Sequence, residues 1–307
     1  MELSEYEIYK TLDDLPVVTK VYLPEPNVQR YGVMQFIHGM CETKERYKHV
    51  IDYFTAEGYI CVISDLRGHG ENVEFDVELG YFGDDGAERL VEDVHYVNVY
   101  IQNNFPDLPI IMVGHSMGSL IARAFIKRYD EDVDVLILSG SPSPRKLRTV
   151  GKLLIEALTL FKDDREVDKL VHNMMVGDYH KKYESEGVEN SWICSDPAVV
   201  EAFNKDSKCG FMFTLNGYHT LCRLQEIVYS KKGWAMKNKA LEILFVSGAD
   251  DPCLIDKETF KEGVDILRQV GYRRVASIIY KGMRHEVFNE PKRNKVFEDM
   301  LERMPMV

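Results

Sequence analysis

The 307-residue chain predicts an α/β protein: a mostly parallel central sheet flanked by helices, with a helical insertion after the sixth strand. Three observations predict it. Short apolar runs alternate with amphipathic helical stripes in both flanks of the chain, the pattern of parallel strands joined by crossover helices. The runs at residues 32–37, 59–63 and 110–113 are nearly continuous, as strands covered on both faces are. Between Ser141 and about Lys239, by contrast, helical patterns occur without a convincing strand.

Taken in order, residues 7–10 and 17–23 read as two short strands of an antiparallel hairpin, closed by Pro24-Glu25-Pro26. Residues 32–37 form the first fully buried strand, which runs into His38-Gly39-Met40. Val50, Ile51, Phe54 and Ala56 mark a helix stopped at Gly58, and the strand at 59–63 ends in the turn-forming Asp65-Leu66-Arg67-Gly68-His69-Gly70. Leu90, Val94, Val97 and Ile101 make a helical stripe that Pro106 terminates. The strand at 110–113 meets Gly114-His115-Ser116-Met117-Gly118 and changes at once into a helix with Leu120, Ile121, Ala122 and Ala124; residues 133–138 form the next strand. After the Pro142-Ser143-Pro144 break, the alternation resumes only with a strand at 241–246. A helix at 256–269, a strand at 275–280 and a helix at 292–304 complete it. The expected division is a core of residues 1–141 and 240–307 with a helical cap or lid at 142–239.

Composition sets outer limits. A formal charge of −12 argues against a nucleic-acid binder, which presents a basic surface, and is read as a solubility feature. The acidic start Met1-Glu2-Leu3-Ser4-Glu5 lacks the basic and apolar regions of a signal peptide, and no run approaches the ~18 apolar residues of a membrane-spanning helix, so a cytoplasmic location is expected. Six cysteines without a C-x-x-C pair read as reduced packing residues. No metal-ligand spacing and no G-x-G-x-x-G run occur, so neither a metal nor a cofactor is expected.

The chemistry centres on Ser116. A serine at the tip of a strand-to-helix turn needs side-chain-free neighbours at Gly114 and Gly118, and the turn aims the first helical amides at the space beside the hydroxyl. A serine hydroxyl requires a base, and the base an acid to hold its tautomer. In an open α/β sheet these belong on loops beyond the carboxyl ends of strands. The loop after 241–246 offers Asp250 and Asp251; the loop after 275–280 offers His285, the only histidine following either aspartate. Asp251 precedes proline, which biases it to an extended conformation that projects its carboxylate; Asp250 stays open on that ground alone. In a doubly wound sheet the His38-Gly39-Met40 loop lies near Ser116, so that the Met40 amide joins that of Met117 in an oxyanion hole.

These segments together resemble the α/β-hydrolase family, and within it the monoacylglycerol lipase and lysophospholipase-like serine hydrolases. The resemblance rests on FIHGMCETKERY (Phe36 to Tyr47), DLRGHG (Asp65 to Gly70), VGHSMGS (Val113 to Ser119), SGADDP (Ser247 to Pro252) and YKGMRHEVFNE (Tyr280 to Glu290). It implies an α/β-hydrolase fold with Ser116 as nucleophile, His285 as base, and Met40 and Met117 as amide donors. The family's G-x-x-D pattern, counted from Gly248, implies Asp251 as the acid. Asn72 departs from the serine that often follows G-H-G-x in the family. Arg46, Tyr47, Arg67 and His69 are read as loop-fixing residues. The middle of the chain matches only in position and helical character, as a lid that shapes the pocket.

The expected activity is hydrolysis of carboxylic esters through an acyl-enzyme, with monoacylglycerol, lysophospholipid or a similar small acyl ester as substrate. An aminopeptidase, thioesterase or acyltransferase would use the same residues, and a hydrolase-fold protein that only binds a hydrophobic ligand is a further alternative. Methionines and aromatics of the lid suit an acyl chain on their inner side. Arg145, Lys146, Arg148 and Lys152 are candidates for transient contact with anionic lipid headgroups. Cys253, two residues past the proposed acid, is expected near the site.

Overall fold

The strands β1 (Glu2–Ile8), β2 (Val17–Leu23), β3 (Gly32–Ile37), β4 (Tyr59–Ser64), β5 (Ile110–His115), β6 (Val135–Ser139), β7 (Glu242–Gly248) and β8 (Arg274–Tyr280) form one sheet in the order β1-β2-β4-β3-β5-β6-β7-β8. This is a computed structural model that describes residues 2–8, 17–144 and 148–304. β1 and β2 pair antiparallel with each other, and β2 with β4; every other pairing is parallel. The fold is that of the α/β-hydrolases. The hairpin's first strand lies earlier than residues 7–10: pairing along the whole of β2, from Glu2 opposite Leu23 to Ile8 opposite Val17, draws it towards the start of the chain. Tyr9 and Lys10 lie outside the described residues.

The continuous apolar strands are the central ones, since β3, β5 and β6 are buried at every position. One face of the sheet is covered by α1 (Lys48–Ala56) and α9 (Arg293–Leu301), which contribute Val50, Ile51, Phe54, Val296, Phe297 and Met300. The other is covered by α2 (Gly86–Asn104), α3 (Met117–Tyr129) and α8 (Lys257–Val270), through Leu90, Val94, Leu120, Ile121, Val264 and Leu267. Burial on two faces is what removes the period-two alternation from these strands.

Four helices, α4 (Arg148–Leu158), α5 (Lys169–Lys181), α6 (Pro197–Lys205) and α7 (Leu215–Tyr229), lie in the chain between β6 and β7. Asp168, Asp196 and Thr214 cap the last three, each accepting hydrogen bonds from the first-turn amides. α7 does not stand apart from the body of the protein. Its Leu224 and Val228 are buried in the same cluster as α2 and α3, each worth roughly 1.5–3 kcal/mol. Lys127 of α3 donates to the Ile227 carbonyl oxygen at 2.6 Å. Among the described residues no helix is long and apolar enough to cross a membrane.

Candidate active site

Parallel pairing of β3, β5, β6, β7 and β8 delivers their carboxyl ends, and the loops after them, to one edge of the sheet. β5 runs without a break into α3, and Ser116 between them has φ 51 and ψ −117. A non-glycine residue there is strained, and the flanking contacts enforce it. A Cβ on Gly118 would stand 2.2 Å from the Ile37 carbonyl oxygen, and one on Gly114 would stand 2.5 Å from that of Gly118. The turn is further pinned by the Ser116 amide, which donates to the Ser139 carbonyl oxygen at 2.8 Å.

Three sequence-predicted residues meet here. Ser116 Oγ lies 2.8 Å from His285 Nε2, and His285 Nδ1 lies 3.0 Å from Asp251 Oδ2. With Nδ1–H donated to the carboxylate, Nε2 of the neutral ring is left to accept the serine proton. His285 and Asp251 are each only 2 % exposed. Burial by itself would lower the histidine pKa, but the Asp251 charge beside it holds it well above the ordinary imidazole value. The other oxygen of Asp251 accepts the Cys253 amide at 2.8 Å, at the start of a short helical turn. Asp250 points elsewhere: it is exposed, and its carbonyl oxygen takes up Lys182 and Tyr183. Cys253 does lie at the site, its sulfur within 4.8 Å of ligand atoms of Asp251 and His285.

The loop after β3 borders the same space. The Gly39 amide donates to Glu42 Oε1 at 2.5 Å and the Cys41 amide to His69 Nε2 at 3.1 Å. Between them the Met40 amide has no acceptor among the described residues, and neither has that of Met117 at the start of α3. Two buried histidines brace this loop. His38 Nδ1 donates to the Gly39 carbonyl oxygen at 2.8 Å while its Nε2 accepts the Leu66 amide at 2.8 Å. His69 Nδ1 donates to the Arg67 carbonyl oxygen at 3.0 Å. Burial, and then the neighbouring His38, lower the His69 pKa to about 3, so that it stays a neutral acceptor. Arg67 itself makes a two-pronged pair with Asp93.

Sequence reasoning placed Arg46 among the loop-fixing residues without finding its partners. Its guanidinium bridges Glu42 Oε2 at 2.6 Å and both oxygens of Glu286 at 2.7 and 2.6 Å, and lies 4.7 Å from the Phe203 ring centroid. One side chain thus ties the loop of Met40 to the loop of His285 and to the insertion. Trp192 was missed as well: its ring stands 4.9 Å from that of His285. No periodicity could have signalled either contact, since the partners come from separate elements.

Above Ser116 opens a cavity of about 1180 Å3, counting its mouth. The insertion supplies most of its wall, with Met174, Met175, Val176, Tyr179, Trp192, Phe211 and Leu221 among the lining residues. That is an apolar enclosure with a few polar groups, as small-molecule sites are. Of the basic residues considered for lipid contact, Arg145 and Lys146 and the side chain of Arg148 lie outside the described residues. Lys152 is held by Glu226 at 3.0 Å and by Glu156 at 3.8 Å.

Comparison with known proteins agrees with the fold. A family profile described as "serine aminopeptidase, S33" matches residues 29–292. The chain is 28 % identical over 294 residues to a monoacylglycerol lipase of Mycolicibacterium smegmatis, covering 92 % of this chain and 91 % of that one. It is 25 % identical to the phospholipase YtpA of Bacillus subtilis, with 87 % and 92 % covered. Among solved structures, a thermostable carboxyl esterase from Bacillus coagulans in complex with glycerol superposes with a TM-score of 0.89 at 27 % identity, over 98 % of this chain and 97 % of that one.

Proposed function

The chain belongs to the serine aminopeptidase, S33, family of α/β-hydrolases and is a hydrolase of the lipase and esterase class, and from that premise we propose that it cleaves small monoacyl esters through an acyl-enzyme on Ser116. The observation that carries this reading is the hydrogen-bonded run from Ser116 through His285 to Asp251 at the foot of an apolar cavity. His285 Nε2 takes the Ser116 proton as Oγ attacks the ester carbonyl, and Asp251 stabilises the imidazolium that forms. The charge on the carbonyl oxygen falls to the Met40 and Met117 amides, which have no acceptor among the described residues. His285 then gives its proton to the departing alkoxide. Water attacks the acyl-enzyme by the same route and releases the acid.

Monoacylglycerol and lysophospholipid are the favoured substrates, on the strength of the apolar wall and of the lipase, phospholipase and esterase relatives. Residues 142–239 act as the lid over that cavity. In the same reading the lid touches lipid surfaces, and the support is apolar more than basic: Leu153, Leu160, Phe161 and Leu170 are exposed along one stretch of it. Six buried cysteines, none of them in a disulfide among the described residues, fit the cytoplasm.

The test is a panel of monoacylglycerol, lysophospholipid, p-nitrophenyl esters, thioesters and aminoacyl amides, with fluorophosphonate labelling. Wild-type protein should hydrolyse the esters fastest and be labelled at Ser116, and Ser116→Ala should lose both properties. Preference for amides or thioesters would move the protein to another reaction on the same residues, and full activity in Ser116→Ala would remove the mechanism.

A further inference from the structure

The roof of the cavity contains polar atoms that nothing among the described residues satisfies. Gln225 sits one turn after Leu221 on α7, and both line the space above Ser116. Its side chain is 5 % exposed, its Oε1 is fully buried without a partner, and its amide makes no hydrogen bond among the described residues. Trp192, beside His285, likewise has a buried Nε1–H with no acceptor among the described residues. The neighbours one turn away on α7 offer Gln225 no relief. Leu221 is aliphatic, and one turn further on Tyr229 has committed its hydroxyl to the Pro142 carbonyl oxygen.

Buried amides are nearly always paired, because leaving one unpaired forfeits its hydration without return. A saturated acyl chain filling this cavity would leave Gln225 unpaired for as long as the substrate stayed bound, since hydrocarbon neither donates nor accepts. A primary amide presents a donor and an acceptor side by side, and an alcohol hydroxyl answers both. The apolar part of the wall, with Met175, Val176 and Leu221, suits hydrocarbon.

We propose that Gln225 is a specificity-determining residue that meets a hydroxyl on the acyl half of the substrate, so that hydroxyacyl esters are preferred over plain saturated ones. This rests on the ester-hydrolase reading above and names its substrate class more closely. The binding step is a hydrogen-bond exchange only: the hydroxyl accepts from Gln225 Nε2 or, once the amide turns over, donates to its oxygen, and no bond in the acyl chain changes.

The experiment compares p-nitrophenyl esters of one chain length, one saturated and the others with a single hydroxyl at successive carbons, on wild type, Gln225→Leu and Gln225→Met. The leaving group is constant, so kcat/KM reports the acyl half. At one hydroxyl position wild type should prefer the hydroxy ester about tenfold or more, and both variants should lose that preference while turning over the saturated ester at least as well. Fluorophosphonate labelling of Ser116 shows that each variant retains a folded site. Equal or faster turnover of the saturated ester by wild type at every position overturns the inference, as does a preference that survives in both labelled variants. Wild type that hydrolyses none of the esters and is not labelled at Ser116 overturns the ester-hydrolase reading itself.

Discussion

The floor and the roof of the cavity are built on opposite terms. The floor is backbone: Ser116 on its strained turn, two unpaired amides, and loops whose polar side chains are almost all spent on holding one another. The roof is side chains on short helices, and it leaves polar atoms unpaired inside, at Trp192 and Gln225, and apolar ones uncovered outside, at Leu153 and Phe161. A site that stabilises a transition state must be rigid before the substrate arrives, whereas a site that selects a substrate keeps its free valences for it. Perturbing the two regions should therefore give effects that differ in size and in kind.

The largest effect belongs to the floor. Asp251→Asn keeps the shape but withdraws the acceptor that holds the His285 tautomer, and kcat should fall on the order of 10^4-fold. The pH profile sharpens the point. In wild type, activity should rise as His285 loses its proton, with a midpoint above the ordinary imidazole value, because Asp251 raises it against the effect of burial. In the variant the largest influence that opposes burial is gone, so the midpoint of the residual activity should move down. A midpoint that stays put would separate His285 from Asp251 in function.

Next comes the brace beneath the floor. Arg46→Met strands two buried carboxylates, Glu42 and Glu286, and should cost about 3–5 kcal/mol of stability by urea unfolding. Burial pushes the Glu286 pKa up, but the Arg46 charge and hydrogen bonds outweigh it and hold the group below its usual range. In wild type Glu286 therefore adds stability above the unfolded carboxylate pKa and loses it as pH falls. Without Arg46 burial prevails, the folded state binds the proton more tightly, and the Glu286 contribution turns against folding as pH rises. The variant's deficit should accordingly be smaller at pH 5 than at pH 8; an equal deficit would mean that the arginine acts by packing alone, through its contact with Phe203.

The smallest effect is expected on the outside of the roof. Phe161 is 90 % exposed and Leu153 60 %, so the double variant Leu153→Asp, Phe161→Asp breaks no core. Its kcat/KM on a soluble ester should stay within about twofold, while binding to phospholipid vesicles in a sedimentation assay should weaken several-fold. Unchanged vesicle binding would detach the insertion from any role at a lipid surface.

Legibility in the sequence follows the same divide. β3, β5 and the turn at Ser116 were readable because burial on two faces and a collision-forced pair of glycines leave local signatures, and G-x-x-D together with the family resemblance singled out Asp251 from its neighbour. The start of β1 was not readable, since it is set by pairing along β2. Nor was the Arg46 bridge, whose partner Glu286 lies 240 positions away. The insertion gave helical stripes and little else; that α7 would bury Leu224 and Val228 in the main core while turning Gln225 to the cavity depends on which helix lies opposite each face.

What the sequence by itself determined is the sheet, the order of its loops and the chemistry those loops present, because each is written in residues adjacent along the chain. What only the tertiary structure decided is which amides stay unpaired, how the loops are braced, and which side chains of the insertion reach the space above Ser116. These depend on atoms far apart in the chain coming to within a hydrogen bond of one another, and local pattern holds no record of that distance.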